Sequence, residues 1–142
     1  MQDLNTAKLL LDRDKLTCAL VLGSRVCTST HRGVRPLLDL LATGEDFRGF
    51  SAADKVVGKA TAFLYVLLGV QAVYARTVSR SAAAVLGQYG IALEYGTMVE
   101  AIANRDRTGF CPMESAVRDI NDPGEAHRAV LETLKKLQGG AS

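Results

Sequence analysis

The spacing of hydrophobic and polar residues changes along the chain, and each change predicts a different element. Apolar positions between residues 4 and 11 recur at helical intervals, so we predict a short first helix capped by Asn5 or Thr6. Two apolar runs then flank Gly23 and Ser24, a two-residue hairpin signal because glycine adopts positive φ at little cost. Both faces of this hairpin are largely apolar, which predicts a sheet covered on both sides.

Helical patterns follow the hairpin. Pro36 suits the first turn of a short helix and Gly44 its exit. The segment 51–70 has the longest apolar pattern and is predicted to be the longest helix of the chain, central and mostly buried.

Strand and helix patterns alternate after that segment. Strands are predicted at 72–79 and 91–96, separated by a helix that Ser79 or Ser81 caps and that stops near Gly90. Strands that alternate with helices are typical of a sheet with helices on its faces. The pattern therefore predicts a three-layer α/β architecture.

The last part of the chain is predicted to be helical. A helix opens at Pro112, and an amphipathic helix covers roughly 123–137. Residues 136–142 should fray, since they are rich in glycine and polar residues. With 142 residues and no linker or repeat, we predict a single domain over 1–142.

Composition narrows the class of partner. Apolar residues make up 48% of the chain and the net charge is +2, which argues against nucleic acid and anionic membranes as partners. The longest apolar window is too short to span a membrane and the N-terminus does not resemble a signal peptide, so we expect a cytoplasmic protein. Three cysteines without a CxxC pair indicate neither a disulfide framework nor a metal motif.

The stretch "NRDRTGFCPMES" has the highest density of polar, charged and reactive side chains in the sequence. Cys111 precedes Pro112, so it falls at a helix N-cap, where the helix dipole stabilises a thiolate and favours a nucleophile. The alternative is a small, partly buried residue. Glu114 is a candidate proton acceptor, or instead a half capping box with the N–H of Cys111, or a partner of Arg118.

The residues before this helix form a candidate anion site. Arg105 supplies charge, and Asn104, Thr108 and Gly109 supply an amide, a hydroxyl and free backbone N–H groups. A phosphate or carboxylate would suit them. The alternative is a solvated loop with incidental charge.

A second group of candidates lies on the predicted central helix and the strand that follows it. Asp54 either caps that helix or contacts a ligand, and Gly58 costs about 1 kcal/mol inside a helix, so a ligand or another element approaches its backbone closely. Lys59 must snorkel, pair or face a pocket. Ser79 and Ser81 are either helix caps or hydroxyls that bind a polar ligand.

Several segments together resemble a known bacterial family, domain of unknown function 1893: "GVRPLLDLL", "DKVVGKATAFLYVL", "VYARTVS", "YGIALEY" and "NRDRTGFCPMESAV". The resemblance implies a cytidine-deaminase-like fold, a mixed β-sheet flanked by helices. It also implies a cleft at the helix N-termini, which Lys59 would face. Asn104 and Arg105 match the family motif.

Zinc deaminases carry a His or Cys followed by Ala-Glu on one helix and Pro-Cys-x-x-Cys on the next. The corresponding segments here, 57–60 and 79–85, contain no His, Cys or carboxylate. Zinc requires several such ligands that converge on one point. We therefore predict a protein that is independent of zinc, with no metal or other cofactor.

The leading hypothesis is a pocket protein that binds a small anionic or nucleotide-like molecule. Lys59 and Arg105 would hold charge, and Cys111 and Glu114 would carry any chemistry, as a thiolate nucleophile and a proton acceptor. The sequence leaves open whether the protein is an enzyme and whether it forms a homodimer. The alternative function is a catalytically inactive scaffold or regulatory module that binds another protein.

Overall fold

The protein contains one open mixed sheet. A computed structural model describes residues 2–31, 33–102 and 112–140, with side chains through residue 137. Within these residues the strands are β1 (Cys18–Leu22), β2 (Arg25–Ser29), β3 (Ser51–Val57), β4 (Ala72–Ser79) and β5 (Ala92–Val99). Their order is β2-β1-β3-β4-β5; β1 is antiparallel to β2 and β3, and β3, β4 and β5 are parallel.

Helices cover both faces of the sheet, so the predicted mixed sheet flanked by helices is confirmed. The helices are α1 (Gln2–Arg13), α2 (Arg35–Thr43), α3 (Lys59–Leu68), α4 (Arg80–Gln88), α5 (Pro112–Val117) and α6 (Pro123–Gly140). α1 packs on one face, against β1 and β3, and the remaining helices pack around α3 on the other. None of the helices over 2–31, 33–102 and 112–140 combines the length and apolar character that crossing a bilayer needs.

The hairpin has the predicted two-residue turn, with Leu22 opposite Arg25 and Leu20 opposite Cys27. The prediction that both strands are covered on both sides holds only for β1, which is buried along most of its length. β2 is the outer strand, and most of it is exposed.

The prediction of one long helix over 51–70 is wrong. Its first part is β3, and α3 begins only at Lys59, after Gly58. β3 pairs with β1 on one side and with β4 on the other, so its backbone groups are satisfied by two ladders. Those ladders outweigh the helix propensity of Ala and Lys in this segment, since propensity is a weak preference that tertiary context overrides.

The predicted helix boundaries have mixed outcomes. α1 begins at Gln2, so neither Asn5 nor Thr6 caps it; the Thr6 hydroxyl instead donates to the Gln2 carbonyl, 3.1 Å away. α2 has proline in its first turn and ends at Gly44, which is left-handed at φ 74°, as predicted. α6 continues to Gly140, so helical backbone includes most of the segment predicted to fray.

Candidate functional site

A cavity of about 330 Å³ opens where the ends of β1 and β3 meet the first turns of α2 and α3 and the short helix α5. We call it the main cavity. Much of its wall is apolar, from Val34, Pro36, Val56, Ile102 and Met113. Its polar wall is formed by Thr17, Cys18, His31, Asp54, Lys55, Thr61 and Glu114. Both its size and its mixture of apolar walls and few polar groups are typical of small-molecule sites.

Asp54 lies in the inner wall of the main cavity. It is part of β3, between Cys18 of β1 and Ala75 of β4, so the prediction that it caps a helix is wrong. Its side chain is only 8% exposed. A carboxyl group buried to this degree needs hydrogen-bond donors, and the structure supplies them unevenly to its two oxygens.

Tyr65 of α3 supplies the stronger donor. Its hydroxyl donates to Asp54 Oδ2 over 2.7 Å, whereas the Val56 N–H reaches Oδ1 over a long 3.4 Å. The Cys18 thiol lies 3.4 Å from the same hydroxyl. Burial raises the pKa of Asp54 from 3.8 to about 7, although the hydrogen bonds from the Tyr65 hydroxyl and from the Val56 and Lys55 backbone lower it. Burial also raises the pKa of the Cys18 thiol and of the Tyr65 hydroxyl.

Glu114 lies at the rim of the main cavity and is bound to the start of α3. Its two oxygens accept the backbone N–H groups of Lys59 and Ala60, over 2.7 Å and 3.0 Å. These are N–H groups that a helix start leaves without intrahelical partners. Glu114 therefore caps α3 from another helix, a role that the sequence analysis did not foresee.

Gly58 explains how the carboxylate comes so close. A Cβ atom at this residue would lie 2.5 Å from the Glu114 carboxylate, so the end of the Glu114 side chain would have to move away. Gly58 is the N-cap of α3 rather than an interior helix residue, and its φ of −96° and ψ of −178° are open to any amino acid. The requirement for glycine is thus the approach of Glu114, one of the two reasons that the sequence suggested.

Lys59 lines a second, smaller cavity of about 130 Å³, with Ser81, Ala101, Glu114, Ser115 and Arg118. We call it the side cavity; Glu114 forms part of the wall of both cavities. The Lys59 ammonium donates to the Arg118 carbonyl over 2.8 Å and lies 5.8 Å from the centre of the Phe63 ring. Lys59 thus combines a backbone partner with a position at a cavity wall.

Ser79 and Ser81 lie at the start of α4. Ser79 is the N-cap, and its hydroxyl accepts the Ala82 N–H over 3.1 Å, as one of the two caps predicted. The Ser81 hydroxyl lies 3.3 Å from that of Ser79 and lines the side cavity. Ser79 is fully buried, which leaves only Ser81 at a cavity wall.

Five predicted site residues fall outside the described part of the chain: Asn104, Arg105, Thr108, Gly109 and Cys111. Their proposed roles stay predictions. Among the predicted residues that are described, Asp54, Gly58 and Glu114 meet at the main cavity, and Lys59, Ser81 and Glu114 meet at the side cavity.

The donor atoms at the two helix starts do not fit zinc. Gly58 and Lys59 open α3, and Ser79 and Arg80 open α4, without an imidazole or a thiolate. Glu114 brings one carboxylate, but both its oxygens accept N–H groups. Over residues 2–31, 33–102 and 112–140, no group of three His, Cys, Asp or Glu residues could hold a metal.

Cys18, Thr61 and Tyr65 were assigned no site role from the sequence. Cys18 and Thr61 line the main cavity, and Tyr65 bonds to Asp54 in its wall. A usable signal was present, since Val56, Val57 and Gly58 resemble the end of a β-branched strand followed by a helix N-cap. A strand ending there places Asp54 on a sheet next to the following helix, which carries Tyr65.

Comparisons with known proteins agree on one family. The model of a family described as a domain of unknown function (DUF1893) matches residues 6–134. A crystal structure of a DUF1893 family protein from Thermotoga maritima is similar, with 26% identity and a TM-score of 0.85 over 92% of this chain and 89% of that one. No curated protein matches.

Proposed function

The chain belongs to the DUF1893 family, whose description assigns no activity, and we propose that it binds a small nucleotide-like molecule at the main cavity. The observation that carries the proposal is a cavity of about 330 Å³ with apolar walls, a buried carboxyl group in its inner wall and a helix start at its rim. Ligand sites of this kind use apolar walls for affinity and a few polar groups for orientation.

The ligand would divide between the two cavities. A ring system suits the apolar walls of the main cavity. An acidic group would be held at the side cavity by Lys59 and the Ser81 hydroxyl, and the Glu114 carboxylate in the same wall is compensated by two N–H groups of α3. Arg105 would hold charge, and Asn104 and Thr108 would orient polar groups. These residues lie outside the described part of the chain, and Asn104 and Arg105 match the family motif.

The proposal includes a cytidine-deaminase-like fold. A hairpin followed by alternating helices and strands, with β3, β4 and β5 parallel, supports it. The donor atoms at the helix starts do not support zinc chemistry, so the proposed function is binding without a zinc-dependent step. Fold alone does not transfer an activity.

Catalysis by Glu114 gains no support from its contacts, because both of its oxygens already accept N–H groups of α3. Cys111 as a nucleophile stays a proposal, to be tested by thiol reactivity. A thiolate with a lowered pKa reacts with iodoacetamide faster than an ordinary thiol near neutral pH. Reaction of Cys111 at an ordinary rate, compared with a Cys111→Ser variant as background, would remove this proposal.

The test of binding is a thermal-shift screen against nucleobases, nucleosides, nucleoside monophosphates, sugar phosphates and dicarboxylates. We expect nucleoside monophosphates to raise the melting temperature. Val56 lies at the wall of the main cavity and is 46% exposed, so Val56→Trp should obstruct the cavity without disturbing the core. Val26→Trp is the matched control, since Val26 is 48% exposed on the outer strand and does not line the cavity.

Binding of any hit should fall at least about tenfold in Val56→Trp and about threefold or more in Lys59→Ala, and stay unchanged in Val26→Trp and in Lys136→Ala on α6. A ligand that binds all four variants like the wild type would place the site elsewhere. If no compound in the screen binds, the proposal fails and the inactive-scaffold alternative gains.

A further inference from the structure

We propose that Asp54 meets the ligand as a neutral carboxylic acid, so that the main cavity selects a molecule with an N–H donor beside a carbonyl or ring-nitrogen acceptor, as in a lactam. This inference rests on the proposed function and specifies which edge of the ligand the site recognises. It concerns the described residues alone. It assigns to Asp54 a role in ligand recognition, whereas the sequence left open whether Asp54 caps a helix or contacts a ligand.

Tyr65 fixes the orientation of the carboxyl group. Its hydroxyl donates to Oδ2 over 2.7 Å, an ordinary hydrogen-bond distance between two oxygens, and this bond holds Oδ2 as an acceptor. Oδ1 receives the long 3.4 Å approach of the Val56 N–H, and the Lys55 backbone also bonds weakly to the carboxyl group. Oδ1 is therefore the oxygen with unused hydrogen-bonding capacity, and a proton placed on it is free to be donated to a ligand.

Cys18 provides a hydrogen-bond donor for the oxygen of Tyr65. Its thiol lies 3.4 Å from the Tyr65 hydroxyl, and all three residues are buried. When the Tyr65 hydroxyl donates to Asp54, its oxygen can accept from the thiol, so the donors run from Cys18 through Tyr65 to Asp54. Tyr65 and Cys18 are thus positioning residues that act through Asp54.

The surroundings of Asp54 favour its neutral form. Over the residues that the structure describes, no Lys or Arg side chain forms an ion pair with it. Burial outweighs the hydrogen bonds from Tyr65, Val56 and Lys55 and raises its pKa to about 7, so the carboxyl group is largely protonated in mildly acidic solution. Other titratable groups at the cavity are Cys18, His31, Lys55 and Glu114, and Tyr65 lies directly behind Asp54.

A carboxylic acid pairs with a lactam edge through two hydrogen bonds. Its O–H donates to the carbonyl oxygen of the ligand, and its other oxygen accepts the neighbouring N–H. The ionised carboxylate can only accept, so the ligand carbonyl would face a negative oxygen without a proton between them. The wall that contains Asp54 is consequently suited to an uncharged edge, and any acidic group of the ligand belongs at the side cavity.

The test uses quinolin-2-one, a bicyclic lactam that stays neutral near physiological pH. We expect its affinity, measured by isothermal titration calorimetry, to be highest near pH 5.5. Above pH 7 the affinity should decrease with pH, and the decrease should approach about tenfold for each pH unit. Titrations near pH 8 in two buffers of different ionisation enthalpy should show uptake of up to about one proton per ligand, since binding requires Asp54 to be protonated. N-methylquinolin-2-one lacks the N–H donor and should bind at least about tenfold more weakly.

Variants separate recognition from a structural role. Asp54→Asn keeps one donor and one acceptor, so it should bind quinolin-2-one with an affinity that no longer depends on pH and without proton uptake. Asp54→Leu removes both groups and should lose binding. Tyr65→Phe removes a donor that favours the ionised form, so the pH at which affinity falls should move upwards.

The outcomes distinguish this inference from the proposed function. Suppose that some compound in the nucleotide screen binds at the main cavity. If quinolin-2-one then does not bind, or if it binds the wild type equally well near pH 5.5 and near pH 8, the proposal of a neutral Asp54 is wrong and the proposal of ligand binding stands. If neither the screen nor the lactam gives binding that Val56→Trp weakens, both proposals fail. A pH dependence that persists unchanged in Asp54→Asn would assign the proton to another residue and overturn the inference.

Discussion

Asp54 and Glu114 are two carboxyl groups at the wall of one cavity, and the structure surrounds them in opposite ways. Glu114, at the rim, accepts two backbone N–H groups at the start of α3, which suits a negative charge. Asp54, in the inner wall, is almost fully buried; its 2.7 Å hydrogen bond comes from a neutral hydroxyl, and its bonds from the backbone do not offset the burial. The contacts of Glu114 at the rim thus stabilise a negative charge, whereas the contacts of Asp54 in the inner wall do not compensate for its burial.

The two environments indicate which carboxyl group serves the fold. Glu114 joins α5 to α3 and completes a helix start, so its contacts account for its presence. Asp54 makes the folded state less stable once the group ionises, because its pKa is raised by burial. A residue that costs stability at a cavity wall is a better candidate for function than one that contributes to it.

The largest effect is expected from Asp54→Asn. The pKa of Asp54 rises from 3.8 to about 7 on folding, so its contribution to stability is fully present below about pH 4 and is lost as the pH rises through 7. Asparagine has no such titration and keeps an acceptor for Tyr65. We expect the free energy of unfolding at pH 8 to increase by on the order of 3 kcal/mol, and the gain to shrink towards pH 4.

Urea denaturation at several pH values measures this gain. Asp39→Asn on the exposed side of α2 is the control and should change stability by less than about 0.5 kcal/mol at every pH. If Asp54→Asn destabilises the protein at pH 8, the contrast between the inner wall and the rim is lost.

A smaller effect is expected from Gly58→Ala at the rim. The new Cβ would lie 2.5 Å from the Glu114 carboxylate, which must move away and give up its bonds to Lys59 and Ala60. We expect a loss of about 2 kcal/mol in the free energy of unfolding. In a Glu114→Ala background the same substitution should cost only about 0.5 kcal/mol, because the collision is gone.

A double-mutant cycle measures the coupling between these two residues. Gly87→Ala is the matched control: Gly87 is inside α4 with open space around its Cβ position, so alanine should be neutral or stabilise by up to about 1 kcal/mol. Additive effects of Gly58→Ala and Glu114→Ala would mean that Glu114 does not cap α3.

The smallest effect is expected from Lys59→Ala. Its ammonium bonds to the Arg118 carbonyl at the edge of the side cavity, and an exposed contact of this kind contributes about 0.5 kcal/mol. Lys136→Ala on α6 should cost less still. A loss of more than about 2 kcal/mol in thermal or urea unfolding would show that Lys59 is chiefly structural, which would weaken its proposed role in holding an anion.

Sequence patterns predicted the local elements well where a single signal decides. The hairpin at Gly23 and Ser24, the proline-opened α2 and the Ser79 cap of α4 all depend on residues next to one another. The patterns failed at 51–70, where a short apolar run fits a strand and a buried helix equally well. The predicted role of Asp54 was wrong for the same reason, since Asp54 was assigned to a helix start instead of a strand.

Periodicity, turn residues and motifs are local properties of a chain, and they were enough to predict the class of fold and the family. What approaches Gly58 and what surrounds Asp54 depend instead on tertiary packing. Glu114 is 54 residues from Ala60, and Tyr65 of α3 contacts both Asp54 of β3 and Cys18 of β1. Burial and hydrogen-bond partners arise from this packing, and they set the charge of a carboxyl group.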